Sequence, residues 1–439
     1  MRLRLRDEMI AALPIMETLE EAGHEAVFVG GAVRDAVLGL PIQDVDIATS
    51  ATPEETLALF PKCIPTGLQH GTVTVVQHGM TYEVTTYRAE AAYVGHRKPS
   101  EVVFIKGLDE DLLRRDFTMN AMAIQLSGEL YDPCGGEGDL RASRLRCVGD
   151  PSLRFQEDAL RMIRAVRFLG AYRLAPVPSL WRSLKRHAAL LRHVAMERVQ
   201  AELDKMLGSD VPERALIWLA ASGLLSHWKE PLPGSALSKM NQAMEEWKGS
   251  AGDELQLTDM AQLPVKDERW AAVFLSLAFT GEEAGSVMSQ LRFSNKRSMF
   301  ISAVIDCHER MIDRGQPTRN DVAPLKRAWT EVVLTAGESA ARSWLRIART
   351  LPHNQGRLTQ PSAALLASWL EDMPAKTLKE LAVGGAEVLQ RLNRPAGPWL
   401  SKTLSRLLLA AASGETANEK DKLLAWAENW NEEDRSDEH

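Results

Sequence analysis

The sequence predicts a small mixed α/β (α+β) head at the N-terminus followed by an all-α remainder. Three observations carry this. Four short apolar or alternating runs, at 26–29, 44–47, 72–77 and 81–87, read as strands with helical segments between them. From about residue 210 onward every segment reads helical, including 215–225, 270–279, 288–291, 299–311, 328–349 and 363–373. All eleven tryptophans lie after residue 180, most of them on helical stripes that suit core packing.

The elements follow in order. Residues 7–22 predict one amphipathic helix, with Met9, Ile10, Leu13, Met16 and Leu19 on one side. The apolar run Ala26-Val27-Phe28-Val29 ends at Gly30-Gly31, and a helix-like segment runs over 33–38. Asp44-Val45-Asp46-Ile47 is the next strand. In Thr52-Pro53-Glu54-Glu55, Thr52 is a helix N-cap, Pro53 the first helical position and Glu55 the reciprocal cap; this helix ends near Phe60-Pro61. His78-Gly79 turns one strand of a hairpin into the next. Residues 88–101 break periodicity and, with Gly95 and Pro99, predict a mobile loop. Gly149-Asp150-Pro151 is a turn, 154–168 predicts a single helix, and helices continue over 180–207.

Composition bounds the class. At 439 residues with 45% hydrophobic content the chain is globular, and a prior of about 100–200 residues per domain allows two to four domains. The arginine-rich start is not followed by an apolar h-region, so no secretory signal is expected. No apolar run approaches a membrane span. The four cysteines lack C-x-x-C spacing and read as reduced thiols, so a cytoplasmic location without membrane partners is expected. Net charge is −7, yet 141–198 concentrates Arg141, Arg144, Arg146, Arg154, Arg161, Arg164, Arg167, Arg173, Arg182, Lys185, Arg186, Arg192 and Arg198 against only Asp150, Glu157, Asp158 and Glu197. That segment reads either as a phosphate track or as a solvated helix face. The acidic end, 428–439, is expected to be disordered.

Two groups of residues carry chemistry. Gly30 and Gly31 lack a Cβ, so backbone N–H groups there can approach a phosphate closely. Asp44 and Asp46 alternate on a strand and so share a face, and two hard carboxylates suit Mg²⁺ together with substrate phosphates. A D-x-D or a Gly-Gly alone is usually a solvated strand end or a turn; their order and separation suggest a metal-dependent nucleotidyl-transfer centre. Glu83, central in a strand near this face, reads as a third carboxylate that orients or deprotonates an attacking hydroxyl, or as a polar residue on a solvated face. Arg114 and Arg115 can neutralise phosphate, and Asp116 can accept from a ribose hydroxyl. Asp158 and Arg161, three apart on the predicted helix, share a face. A carboxylate beside a guanidinium complements the amino donor and ring acceptor that cytosine and adenine both present. Guanine and uracil present the reverse, and each bidentate contact discriminates by about 1–3 kcal/mol. The alternative for this pair is a structural salt bridge.

The string Gly30-Gly31-Ala32-Val33-Arg34-Asp35, with Asp44-Val45-Asp46-Ile47-Ala48-Thr49-Ser50, resembles the class II tRNA nucleotidyltransferases: CCA-adding enzymes and the related bacterial poly(A) polymerases. Arg114-Arg115-Asp116-Phe117-Thr118-Met119-Asn120-Ala121 matches the family's R-R-D-F-T-x-N-A motif, and Asp132-Pro133-Cys134-Gly135-Gly136 its D-P-x-G-G segment between head and neck. Glu157-Asp158 with Arg161, Arg164 and Arg167 matches its protein-template helix, and Ala195–Leu203 in sequence resembles the element thought to brace that helix. The tail, around Gly384-Gly385, Gly397 and Gly414, is similar to that of short bacterial CCA enzymes, where body and tail grip the tRNA elbow.

The resemblance implies a nucleotidyltransferase head at 1–140, a neck at 141–210, a helical body at 211–350 and a tRNA-binding tail at 351–427. It implies addition of C, C and A to tRNA from CTP and ATP with Mg²⁺. Asp44 and Asp46 would hold the metal and Glu83 would assist catalysis. Gly30, Gly31, Arg34, Arg115, Asp116, Asn120, Asp158, Arg161, Arg164 and Arg167 would bind nucleotide. The loop at 88–101 would favour full CCA addition, and Gly135-Gly136 would let head and neck rotate slightly. No His-Asp dipeptide suggests a further phosphohydrolase domain. A bacterial poly(A) polymerase and a non-catalytic RNA-binding protein of the same fold remain the alternatives.

Overall fold

Seven short strands of the N-terminal region close into one sheet in a computed structural model that describes residues 1–90, 102–249, 260–312, 322–351 and 359–436. Through residue 131 the strands are β1 (Ala26–Val29), β2 (Asp46–Thr49), β3 (Cys63–Gly67), β4 (Thr72–Gln77), β5 (Met80–Thr86), β6 (Arg88–Glu90), β7 (Val102–Phe104), β8 (Ala123–Gln125) and β9 (Leu130–Tyr131). The sheet order is β3-β4-β5-β2-β1-β8-β9, while β6 and β7 pair as a separate ribbon. Only β2 and β5 run parallel in this sheet, and their register sets Asp46 opposite Glu83. Antiparallel β1 sets Val29 opposite Asp46. Thus the residue before Gly30 and both strand carboxylates occupy one level of the sheet.

Both faces of β1 are buried. Val27 and Val29 pack with Ala48, Tyr87, Leu108, Leu112, Ala121 and Ala123. The helix Leu13–Glu21 packs on β1 and buries Ile15, Met16 and Leu19, each worth about 1.5–3 kcal/mol. The capping box at Thr52 forms as expected, with Glu55 N donating to Thr52 Oγ1 and Thr52 N to Glu55 Oε2. The hairpin turn has positive φ at both His78 and Gly79, which matches the twist of its strands.

Several elements differ from expectation for identifiable reasons. The helix expected over 7–22 is two, Asp7–Ile10 and Leu13–Glu21, because Pro14 starts a new first turn and cannot continue an old one. Strand β2 begins at Asp46, so Asp44 precedes it; exposed Asp44, buried Val45 and half-buried Asp46 still alternate. The helix expected over 154–168 breaks at Asp158 into Pro151–Glu157 and Leu160–Ala171. Strands β3, β8 and β9 carry too little alternation to be read beforehand. Gly136 is required by close approach: a Cβ there would lie 2.2 Å from the Thr118 carbonyl oxygen, and Asp132 accepts from Gly136 N and Glu137 N. Of the expected loop, 88–90 forms β6 and 91–101 lies outside the described residues.

The chain divides into two units, Met1–Leu232 and Pro233–His439. In the second, the described residues are helical. The helix expected over 328–349 is interrupted at Gly337, whose φ is 88°, giving Ala323–Ala336 and Glu338–Ala348. Trp329 and Trp344 are fully buried core residues. The C-terminal helices bury Val388, Leu407, Ala411 and Leu423 together. Gly384 and Gly397 sit at helix N-termini, with Gly384 N donating to Glu387, and Gly414 ends a helix. The expected disorder from 428 gives way to a helix, Lys420–Ser436, with 437–439 outside the described residues.

Candidate active site

Gly30 adopts φ 70°, ψ −131°, a conformation open to glycine and strained for other residues, and it caps the helix Gly31–Leu38. A Cβ here would stand 3.4 Å from Asp46 Oδ2 and 3.7 Å from Arg115 Nη1. The bare turn therefore leaves a cradle between a helix N-terminus, a carboxylate and a guanidinium. Arg34 curls back over this turn, its Nη2 3.4 Å from where a Gly31 Cβ would be.

Burial, then Glu83 and Asp44, push the Asp46 carboxyl up, while Arg115 opposes them; it settles at about 6. A cation placed here would relieve that repulsion. Asp44, Asp46 and Glu83 do not converge as a cluster of three metal ligands among the described residues. The donor set is therefore two hard carboxylates in a Cβ-free cradle, which fits Mg²⁺ bound by one or two carboxylates with substrate phosphates completing its shell.

Asp111, absent from the sequence reading, organises the arginine pair. It is 1% exposed. Its Oδ1 accepts from Arg114 Nη2 at 2.6 Å and its Oδ2 from Arg115 Nη2 at 2.9 Å. Its i,i+3 and i,i+4 spacing to the two arginines is the signal that points to it. Arg115 thereby faces Asp46, and Arg114 turns its carbonyl to the neck, accepting from Arg154 Nη1 at 3.2 Å and Arg161 Nη2 at 3.1 Å.

Asp116 lies deeper. Burial alone would raise its carboxyl, but Arg164 and Asn120 bring it down to about 2. Its Oδ1 accepts from Phe117 N and Asn120 Nδ2, and its Oδ2 from Arg164 Nε, with Arg164 Nη2 in ion-pair contact at 2.6 Å. Three protein donors thus take most of the four acceptor sites of this carboxylate. Asn120 is equally committed: its Oδ1 accepts from Arg34 Nη1 at 2.9 Å. Beyond Arg164 the network continues to buried Glu202, which also accepts from Arg167 Nε at 2.7 Å. Arg34, Arg164 and Arg167 surround the Phe168 ring, with Arg167 4.0 Å from its centroid. Head and neck are thus joined through groups that the sequence marks as nucleotide-binding.

Asp158 and Arg161 flank the helix break instead of sharing one helix face. Asp158 has extended backbone, and its Oδ1 accepts from Leu160 N at 3.1 Å, a local bond that competes with the helix. Arg198, forty residues away in the stretch whose sequence resembles a bracing element, pairs with the Asp158 carboxylate at 2.7 and 3.2 Å. Arg161 donates to Glu157 at 2.5 Å and to the Arg154 carbonyl. Each member of the pair is thus fixed by a different partner.

The basic segment sorts into two sets. Arg141, Arg146, Arg154, Arg161, Arg164, Arg167 and Arg198 pair with carboxylates. Arg182, Lys185 and Arg186 are exposed on the helix Pro178–His187, which has no acidic residue, and have no carboxylate partner among the described residues.

Comparison with known proteins bears directly on this arrangement. Residues 26–146 match the model described as "Poly A polymerase head domain", and 261–427 match tRNA nucleotidyltransferase domain 2. Residues 175–232 match "Probable RNA and SrmB- binding site of polymerase A". The chain is 38% identical over 425 residues to the CCA-adding enzyme of Geobacillus stearothermophilus, covering 94% of this chain and 95% of that protein. The chain belongs to the CCA-adding enzyme family. Its similarity to the Bacillus velezensis CCA-adding enzyme, at 35% identity, covers 98% of this chain and 100% of that one. The fold agrees with the crystal structure of the Bacillus stearothermophilus CCA-adding enzyme in complex with CTP: TM-score 0.82, 34% identity, 99% of this chain and 100% of that chain. A Thermotoga maritima CCA-adding enzyme complexed with tRNA shares the fold, at TM-score 0.59 and 19% identity over 97% of this chain and 96% of that chain. The family membership and the α/β head with helical remainder expected from the motifs therefore hold. No helix among the described residues is long and apolar enough to cross a membrane.

Proposed function

We propose that this CCA-adding family enzyme extends the 3′ end of tRNA by C, C and A, taking CTP and ATP and releasing pyrophosphate, in the cytoplasm. The observation that carries this reading is the placement of two consecutive residues. Arg115 faces the Asp46 carboxylate and the Gly30 cradle, while the Arg114 carbonyl receives Arg161 of the base-reading pair. One turn of chain thus ties the phosphate end of a nucleotide site to its base end.

The tRNA 3′ hydroxyl attacks the α-phosphorus; the bond to the β-phosphate oxygen breaks and pyrophosphate leaves. Gly30, Gly31, Arg34 and Arg115 would hold the triphosphate at the helix N-terminus. Asp44 and Asp46 would hold Mg²⁺, which when bound neutralises triphosphate charge and acidifies the attacking hydroxyl. Glu83, beside Asp46 in register, would orient that hydroxyl or take its proton. Asp116 and Asn120, bonded to each other and to the arginines, would fix Arg34 and Arg164 and so shape the pocket. Asp158 and Arg161 would accept and donate on the base edge, and Arg164 and Arg167 would line its floor.

The test uses tRNA lacking its CCA end with CTP alone, ATP alone, or both. CTP alone should give two added residues, and both should give CCA. Long A tracts from ATP, with CTP unused, would assign a poly(A) polymerase instead.

The unpaired cations predict where the acceptor stem lies. Replacing Arg182, Lys185 and Arg186 together by alanine should weaken tRNA binding. It should also lower the slope of log K against log salt by roughly two to three, near one per lost phosphate contact. The KM for CTP should not change. Filter binding across a salt series reads both, and an unchanged slope removes this face from the RNA path.

A further inference from the structure

Tyr172 is not among the residues that the motifs mark, yet it touches the phosphate end of the site. It stands at the end of the neck helix Leu160–Ala171. Its ring centroid is 4.3 Å from the Arg34 guanidinium carbon, closer than the 5.6 Å to Phe168. Its hydroxyl lies beside Asp35.

Arg34 is 7% exposed, so its orientation is decided by what surrounds it. Three of its five N–H donors are spoken for: Nε and Nη2 donate to Asp35, and Nη1 donates to Asn120. Those bonds lie in the guanidinium plane and fix its rotation within that plane. The ring packed on the guanidinium face adds a contact perpendicular to those bonds and resists displacement out of that plane. With the plane held, the remaining edge stays over the Gly30-Gly31 turn, where Nη2 already stands 3.4 Å from a notional Gly31 Cβ.

We propose that Tyr172 is a positioning residue for the nucleoside triphosphate: stacked on Arg34, it aims that guanidinium at the phosphates and makes triphosphate affinity depend on the seating of the neck helix. The inference rests on the reading of Arg34 as a phosphate ligand given above. The contact acts on phosphate, so it is blind to the base. CTP, ATP and inorganic tripolyphosphate should all respond alike.

The test is a graded series at position 172 in the full-length enzyme, with Mg²⁺ and tRNA saturating. Tyr172→Phe keeps the ring and should leave KM for CTP and ATP within about twofold; Tyr172→Leu removes it and should raise both by about 3- to 10-fold, with kcat little changed. Tyr172→His should fall between them, so the order survives even where the leucine variant folds poorly. The inhibition constant of tripolyphosphate should rise by the same factor as KM, and the ratio of the CTP and ATP constants should hold. A merely structural contact would instead move kcat, the melting midpoint or the C-to-A ratio. Arg34→Lys separates the two layers. Where Arg34→Lys raises KM and Tyr172→Leu does not, Tyr172 has no positioning role. Where Arg34→Lys leaves KM and tripolyphosphate inhibition unchanged, the phosphate reading of Arg34 itself fails, and Tyr172 falls with it.

Discussion

Asp46→Asn should lower kcat for nucleotide addition by about a thousandfold or more, because a bound metal supplies several kcal/mol of charge stabilisation at the transition state. Binding of tRNA should be unaffected, since Asp46 faces Gly30 and Arg115 rather than an open surface. Single-turnover addition of one labelled C to tRNA, with tRNA affinity measured alongside, checks both. Wild-type rates in this variant would remove Asp46 from the metal site.

The same residue carries a pH signature. Without metal its carboxyl sits at about 6 against an ordinary 3.8, raised by burial and by Glu83 and Asp44. Metal must displace that proton, so apparent Mg²⁺ affinity should climb as pH rises through about 6 and then level off. Stability runs the opposite way. A carboxyl raised in the folded state favours the fold fully below 3.8, and that contribution is lost as pH rises through about 6. Metal-free wild type should therefore melt below Asp46→Asn at pH 8, and the gap should close toward pH 4.

Asp158→Ala should relax base choice far more than it weakens tRNA binding. Losing one bidentate acceptor should raise the use of UTP and GTP relative to CTP and ATP by roughly 10- to 100-fold, the equivalent of about 1–3 kcal/mol. The structure adds a control. Arg198 holds the Asp158 carboxylate at 2.7 Å, so Arg198→Ala keeps the acceptor but frees its orientation, and it should give a smaller relaxation of the same kind. Incorporation assays with each of the four nucleotides read the series. An unchanged profile in Asp158→Ala refutes the idea that this pair chooses the base.

The head was legible where a short-range signal fixed it. Thr52 and Glu55 announce their capping box, and His78-Gly79 announces its hairpin. The two glycines before a helix and the alternation of Asp44 and Asp46 are found as read, because both depend on neighbours in sequence. Around Asp158 and Arg161, the residues proposed to read the base, the local geometry was not legible. Helical spacing placed Asp158 and Arg161 on one face, whereas a side-chain bond from Asp158 to Leu160 N ends one helix and leaves the residue extended. The bracing stretch was legible as a stretch but its pairings were not: Arg198 reaches Asp158 over forty residues, and Glu202 gathers Arg164 and Arg167 from another helix. Net charge misled in the other direction, because much of the basic segment is spent on internal ion pairs rather than offered to solvent.

The parallel pairing of β2 with β5 has a developmental consequence. Parallel neighbours need a crossover, and here the intervening chain supplies the helix Pro53–Leu59, β3 and β4 before Glu83 can arrive beside Asp46. Asp44 and Asp46 are set together by one short stretch, whereas Glu83 joins them only after some thirty-odd residues of loop closure. The place proposed for the third carboxylate therefore exists only once the non-local β2–β5 pairing has formed.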